Sequence, residues 1–217
     1  MGRVWIVAIG CVSLAVDAER TAGAAGCEPA GLFGPASTFE TGESPRDLEL
    51  GDFNGDGVLD VVVANENTDD LGVRLGDGGG GFGPVTRFPV GRAPFSVTVA
   101  DFNGDGRPDL ATPNYFDADA GVLLNDGNGG FLPQTRWGVG VLPTDTAAAD
   151  VDGDGDLDLL VSNLFGNDIS LLRNAGNGTF LPEQRFGTGA FTVDLAVGDF
   201  NGDGDPDVAA VNLSDGD

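Results

Sequence analysis

The stretch Asp101-Phe102-Asn103-Gly104-Asp105-Gly106-Arg107-Pro108-Asp109 crowds three carboxylates and an amide around two glycines. At an effective dielectric near 20, two carboxylates about 4 Å apart repel by roughly 4 kcal/mol, so a loop that converges them needs a counter-charge. The arrangement recurs as Asp52-Phe53-Asn54-Gly55-Asp56-Gly57, Asp150-Val151-Asp152-Gly153-Asp154-Gly155 and Asp199-Phe200-Asn201-Gly202-Asp203-Gly204, with first residues 49 apart each time. The same spacing carries the aromatic sets Phe33, Phe82, Phe131, Phe180 and Phe39, Phe88, Trp137, Phe186. It also carries Pro35, Pro84, Pro133, Pro182 and Gly42, Gly91, Gly140, Gly189. A repeat without insertion or deletion implies one structural unit used over and over.

Within a unit the apolar period is two. Leu48 and Leu50 alternate with polar residues ahead of the acidic loop, as do Val97 and Val99, Thr146 and Ala148, and Leu195 and Val197. Val61-Val62-Val63, Leu110-Ala111, Leu159-Leu160-Val161 and Val208-Ala209-Ala210-Val211 follow the loop, and Val73-Arg74-Leu75, Val122-Leu123-Leu124 and Leu171-Leu172-Arg173 form a third run. A fourth short segment, such as Thr86-Arg87-Phe88-Pro89, carries the second aromatic. Gly, Asn, Asp and Pro clusters separate these runs and supply turn chemistry. The expectation is an all-β chain of four-stranded antiparallel units, the size of β-propeller blades, about four of them in a partial or open propeller. A parallel β-helix needs a shorter coil repeat and a helical solenoid a 3.6 period. Blades are stable only when neighbours cover their apolar faces, so the register-matched aromatics are read as inter-blade packing, with a ring of sugar-stacking aromatics as the alternative.

Each acidic loop offers oxygen ligands at positions 1, 3, 5 and 9, with the seventh residue contributing its backbone carbonyl. The sets are Asp52, Asn54, Asp56, Val58, Asp60; Asp101, Asn103, Asp105, Arg107, Asp109; Asp150, Asp152, Asp154, Asp156, Asp158; and Asp199, Asn201, Asp203, Asp205, Asp207. Lys and His are absent and the arginines are read as out of register, so a bound cation is the expected counter-charge. Hard oxygen donors in a glycine-turned loop favour Ca²⁺ over Zn²⁺ or Mg²⁺, one ion per repeat and up to four in all. An EF-hand is excluded, because position 12 is Val63, Thr112, Val161 or Ala210 instead of Glu and the flanks are strand-like. A metal-free, Asx-rich hairpin is the competing reading.

The DxNxDGxxD loop followed by apolar runs, together with Phe33-Gly34-Pro35 and Phe82-Gly83-Pro84, resembles the FG-GAP/VCBS repeats of bacterial secreted proteins and of the integrin α-subunit propeller. The resemblance spans about Gly31 to Asp217 and implies that each loop is a β-hairpin turn binding Ca²⁺ on one face of the propeller. Phe131-Leu132-Pro133 and Phe180-Leu181-Pro182 depart from the signature in the later copies, which argues against close integrin kinship but leaves the loops intact.

The 217 residues carry 35 acidic and 10 basic side chains, a formal charge of −25. Nucleic acid and anionic membrane are therefore poor partners. Arg3 followed by the apolar run Val4 to Val16 reads as an export signal over residues 1–18, with a linker over 19–30 and repeats over 31–217. Cys11 falls in the signal, so the exported chain would hold the single thiol Cys27 and no internal disulfide, with a lipid anchor on Cys27 as a lesser alternative. The last unit stops at Asp217 without its third strand, and Gly31 to Phe39 supplies only the end of an earlier blade, so the expectation is a fragment or an open arc that self-associates through its edges. The function expected is that of a secreted or cell-surface calcium-binding module for adhesion to an extracellular protein or polysaccharide. The alternative is the propeller portion of a carbohydrate-active hydrolase or lyase. Against catalysis by this chain, there is no His or Lys and a single Tyr115, and every repeated acid is claimed by a loop.

Overall fold

The computed structural model describes residues Arg3–Val7, Ser13–Val16 and 37–214. The processing site expected around Asp17 and Ala18, both cysteines and Phe33 lie outside the described residues. Strands β1 (Arg3–Val7), β2 (Ser13–Val16) and β3 (Ser37–Glu40) form a sheet in the order β2-β1-β3. β1 and β2 fall in the segment read as an export signal.

Three four-stranded antiparallel blades follow in sequence order. The first is β4 (Pro45–Gly51), β5 (Asp60–Asn65), β6 (Asp70–Arg74) and β7 (Thr86–Pro89). The second is β8 (Thr98–Ala100), β9 (Asp109–Asn114), β10 (Asp119–Leu123) and β11 (Thr135–Gly138). The third is β12 (Pro143–Ala149), β13 (Asp158–Asn163), β14 (Asp168–Leu172) and β15 (Gln184–Gly187). β16 (Thr192–Gly198) and β17 (Asp207–Asn212) supply two strands of a fourth. One short 3-10 turn, Glu66–Thr68, is the sole helical element among the described residues, so the all-β expectation holds.

Alternation explains why the blades stack. In β5, Val62 and Ala64 face the second blade, while Val61 and Val63 face the other way. Phe53, Leu71 and Val73 join the forward face and meet Val97, Leu110, Leu123 and Phe131 of the second blade. The next junction repeats the pattern, with Phe102, Ala111 and Val122 against Leu159, Leu172 and Phe180. Each buried Phe or Leu contributes roughly 1.5–3 kcal/mol of transfer free energy, available only when the neighbouring blade is in place.

The register-matched aromatics sit at these junctions. Phe53 and Phe88 of the first blade both meet Phe131 of the second edge-on, at centroid distances of 5.5 and 5.2 Å. Phe102 and Trp137 meet Phe180 at 5.8 and 5.0 Å, and Phe39 meets Phe82 at 5.4 Å. Inter-blade packing is therefore their role. Phe200 and Phe186, on the described face that no further blade covers, are 62% and 53% exposed, whereas Phe53 is 1% exposed.

The first strands of neighbouring blades are tied by polar side chains. Asp47 Oδ2 accepts the Val97 N–H at 3.0 Å, and Asp145 Oδ2 accepts the Leu195 N–H at 3.1 Å. Between the second and third blades, where Ser96 takes the acid's place, the Thr98 hydroxyl donates to the Thr146 carbonyl at 2.7 Å. A register shift immediately before Asp47, Asp145 and Asp194 interrupts the strand pairing at each acid.

Candidate metal centres

Each acidic loop is the turn from a blade's first strand into its second. The chain reverses there because two glycines adopt left-handed backbone: Gly104 and Gly106 at φ 70° and 83°, with equivalent angles in all four loops. A Cβ on either would meet nothing within 4 Å, so backbone conformation and not space requires glycine.

The acid at position 1 organises the turn by accepting backbone N–H groups. Asp52 accepts from Gly55, Asp56 and Gly57 at 2.8, 3.1 and 2.8 Å, and Asp150 accepts from Gly153, Asp154 and Gly155 at 2.7, 3.2 and 2.9 Å. Asp101 accepts from Asp105 and Gly106, and Asp199 from Gly202 and Gly204. The N–H groups of Gly202 and Gly204 hold the Asp199 carboxyl below its ordinary range. At position 3, Asn54, Asn103 and Asn201 accept the N–H two residues on. At position 5, Asp56, Asp105, Asp154 and Asp203 accept the N–H of Val58, Arg107, Asp156 and Asp205.

Position 9 fastens the loop to the blade. Asp60 Oδ2 accepts the Phe53 N–H and Oδ1 the Gly76 N–H, both at 2.8 Å. Asp109 spans Phe102 and Asn125 likewise at 3.0 and 2.7 Å, and Asp158 spans Val151 and Asn174 at 3.1 and 2.8 Å. Asp207 accepts the Phe200 N–H at 3.0 Å. Asp60, Asp109 and Asp158 are buried, and burial pushes the Asp109 carboxyl up to about 6, with Asp105 and Asp101 adding to the rise. Burial also raises Asp158, beside Asp152 and Asp154.

In the third loop one oxygen from each of Asp150, Asp152 and Asp158 lies within 4.8 Å of the other two, the one such trio of acids among the described residues. An ionised carboxylate offers about four lone-pair sites, so those already accepting N–H groups retain capacity for a cation. The donors are oxygens throughout, which fits a hard divalent ion.

Two loops carry a cation that the sequence reading placed differently. Arg107, expected to offer only its carbonyl, also turns its guanidinium back onto Asp105 Oδ2 at 2.5 Å. Arg173 Nη1 stands 3.6 Å from Asp152 Oδ2. Against the expectation that the arginines are out of register, three recur in it: Arg87, Arg136 and Arg185 stand 49 apart. They lie on each blade's fourth strand, paired with Asp70, Asp119 and Asp168 at 2.8, 2.6 and 3.5 Å, and so neutralise charge away from the loops. The same acids accept the side-chain N–H of Asn65, Asn114 and Asn163 at 2.7, 2.6 and 2.8 Å.

Those asparagines explain the repeated glycines at the start of each unit. A Cβ on Gly42, Gly91 or Gly140 would stand 2.3 to 2.4 Å from the amide carbon of Asn65, Asn114 or Asn163. A further element stitches neighbouring loops: the Asn125 side chain donates to the Phe53 carbonyl of the preceding blade and to the Pro108 carbonyl of its own, each at 3.0 Å. Asn174 repeats this with Phe102 and Leu157 at 2.7 and 2.9 Å. A cleft of about 320 Å³ lies between the first two loops, lined by Asp52, Asn54, Arg107 and Gly127 among others.

Comparison with solved structures places the fold among propellers. BBS1N in its complex with ARL6DN aligns with a TM-score of 0.54 at 14% identity, covering 80% of this chain and 51% of that one. A protein from Lactobacillus plantarum aligns with a TM-score of 0.52 at 11% identity, covering 89% and 56%. The chain thus spans about half the length of these structures. No curated protein matches it in sequence. The family model described as FG-GAP-like repeat matches residues 33–112 and 150–210, which include all four acidic loops. The chain belongs to the FG-GAP-like repeat family.

Proposed function

We propose that the chain is a secreted, calcium-stabilised propeller module that binds a protein or polysaccharide ligand outside the cell. The observation that carries the metal reading is the convergence of Asp150, Asp152 and Asp158 in a loop repeated four times in register. Position 1, 3, 5 and 9 side chains of each loop would hold one Ca²⁺, with the carbonyls of Val58, Arg107, Asp156 and Asp205 completing the sets. The ion would cancel repulsion among acids that the fold has brought together, fastening each loop to the strands it joins.

Export rests on the Arg3-led apolar run, and no helix among the described residues is long and apolar enough to cross a membrane. Binding is favoured over catalysis because the chain has neither His nor Lys and its repeated acids are occupied with backbone N–H groups. The uncovered apolar face bearing Phe186 and Phe200 takes a further blade or a second copy. Thermal melting of the purified chain after chelation, and again after adding Ca²⁺ or Mg²⁺, tests the metal reading. Ca²⁺ restores a melting temperature at least several degrees above the chelated state and Mg²⁺ does not; identical curves would refute it.

A further inference from the structure

We propose that the turn face opposite the acidic loops is a platform for a neutral polysaccharide, with Phe116 and the Phe165–Phe191 pair as its stacking stations. The inference rests on the reading of the chain as a ligand-binding module and assigns that module its surface and ligand class.

The blades are antiparallel, so their ends differ. The acidic loops occupy one end; the turns between second and third strands, and the connections from one blade to the next, occupy the other. At that end Phe116 and Phe165, equivalent positions in adjacent blades, are 57% and 56% exposed, and Phe191 is 38% exposed. These rings are not framework. The junction columns Phe82, Phe131, Phe180 and Phe88, Trp137, Phe186 stay aromatic, whereas this position is Asn67 in the first unit and Ser214 in the fourth. Phe191 takes left-handed backbone, φ 60°, as do Ser44, Ala93 and Leu142 at the same position of the other units, so the conformation belongs to the connection and only the ring is particular to this unit. Phe116 and Phe165 leave more than half of their area exposed, and rings that the core does not use mark a contact surface.

The platform is rigid underneath. Arg46 lies over the Phe95 ring at 4.5 Å, Phe95 stacks on Tyr115 at 4.5 Å with an 18° interplanar angle, and Tyr115 holds Phe116 edge-on at 5.0 Å. One blade on, Phe165 and Phe191 brace each other at 5.4 Å.

The surroundings select the ligand class. Arg92 pairs with Asp117 at 2.6 Å, Arg136 pairs with Asp117 and Asp119, and Arg46 pairs with Glu66 at 2.6 Å. Each of these arginines is paired with a carboxylate, and Asp69 adds a further acid beside them by accepting the Ala93 N–H, so the edges are polar without excess positive charge, while the chain's −25 repels polyanions. Turns present no strand edge for a peptide to extend. Open ring faces flanked by polar pairs match a pyranose, which offers C–H groups on its face and hydroxyls at its rim.

The test is native affinity electrophoresis of the calcium-loaded chain through gels containing laminarin, hydroxyethylcellulose, mannan or polygalacturonate. At least one neutral polymer retards the wild type and polygalacturonate does not. Phe116→Ala with Phe165→Ala weakens that retardation tenfold or more, Phe116→Tyr preserves it, and Leu132→Ala, exposed at the acidic-loop end, leaves it unchanged. A cooperative thermal transition at the wild-type temperature in each variant confirms the fold. No retardation by any neutral polymer, retardation that survives the double substitution, or equal retardation by polygalacturonate overturns the platform. The module's calcium reading stands or falls separately, on the melting curves.

Discussion

The Asn125 side chain crosses from the second blade to the first, donating to the Phe53 carbonyl at 3.0 Å while its own backbone N–H donates to Asp109 Oδ1 at 2.7 Å. One residue therefore couples the packing of two blades to the position-9 acid of a loop. Asn125→Ala leaves the carbonyls of Phe53 and Pro108 without this partner, and an unsatisfied buried acceptor costs about 1–3 kcal/mol. Urea denaturation should show that loss with an unchanged slope, and Asn174→Ala should behave alike.

Glycines in two settings should respond differently to alanine. Gly104→Ala places a side chain in left-handed backbone but in open space, at a cost of about 1–2 kcal/mol, and Gly104→Asn costs less because Asn tolerates that region. Gly91→Ala drives a Cβ to 2.4 Å from the Asn114 amide carbon, an overpacking cost of about 3 kcal/mol that Asn cannot relieve. Chemical denaturation of the three variants, each with Ca²⁺ present, ranks these costs; equal losses at both sites would contradict the assignment.

The inner-strand acids give a pH dependence. Asp145 and Asp194 both approach the Leu195 N–H, at 3.1 and 2.9 Å, and burial together with Asp194 pushes the Asp145 carboxyl from 3.8 up to about 7. Asp47, also raised by burial, faces the same Asp194 charge. A carboxyl raised in the folded state binds its proton more tightly there than in the unfolded chain, so its effect is absent below about 4 and destabilises progressively as pH climbs to 7. Melting temperature in saturating Ca²⁺ should fall between pH 5.5 and 8, and Asp194→Asn should flatten that slope. An Asp194→Asn profile parallel to the wild type would exclude the pair as its source.

The repeat made the strands and loops readable, because a 49-residue register turns four weak local patterns into one strong one. Alternation within Val61-Val62-Val63 marked a strand with two buried faces, and recurrence of Phe82, Phe131 and Phe180 marked the junctions. The same register holds the set Asn65, Asp70 and Arg87 with its two copies, which composition does not reveal because each acid and arginine neutralise one another on strands away from the acidic loops. Asp47 and Asp145 were hidden for a different reason: Ser96 breaks their column, and the role passes to hydroxyls at that junction. Phe116 and Phe165 carry no framework signal, since only placement at the turn end distinguishes an exposed ring from a buried one.

Arg107 sets the second loop apart from the first. Its guanidinium on Asp105 competes with a cation for that carboxylate, so the second site should be weaker than the first and Arg107→Ala should tighten it severalfold. Calcium titration by calorimetry, wild type against variant, measures the change; an unchanged or weaker isotherm would show that the ion pair does not compete.

The most direct measurement is the number of Ca²⁺ ions retained per chain, determined by equilibrium dialysis of metal-stripped protein against ⁴⁵Ca²⁺ at physiological ionic strength. Binding that approaches four per chain, and falls by one when Asp150 and Asp152 are both replaced by Asn, is the expected result. No saturable binding, or a stoichiometry indifferent to Asp150 and Asp152, would contradict the assignment of the acidic loops as calcium centres.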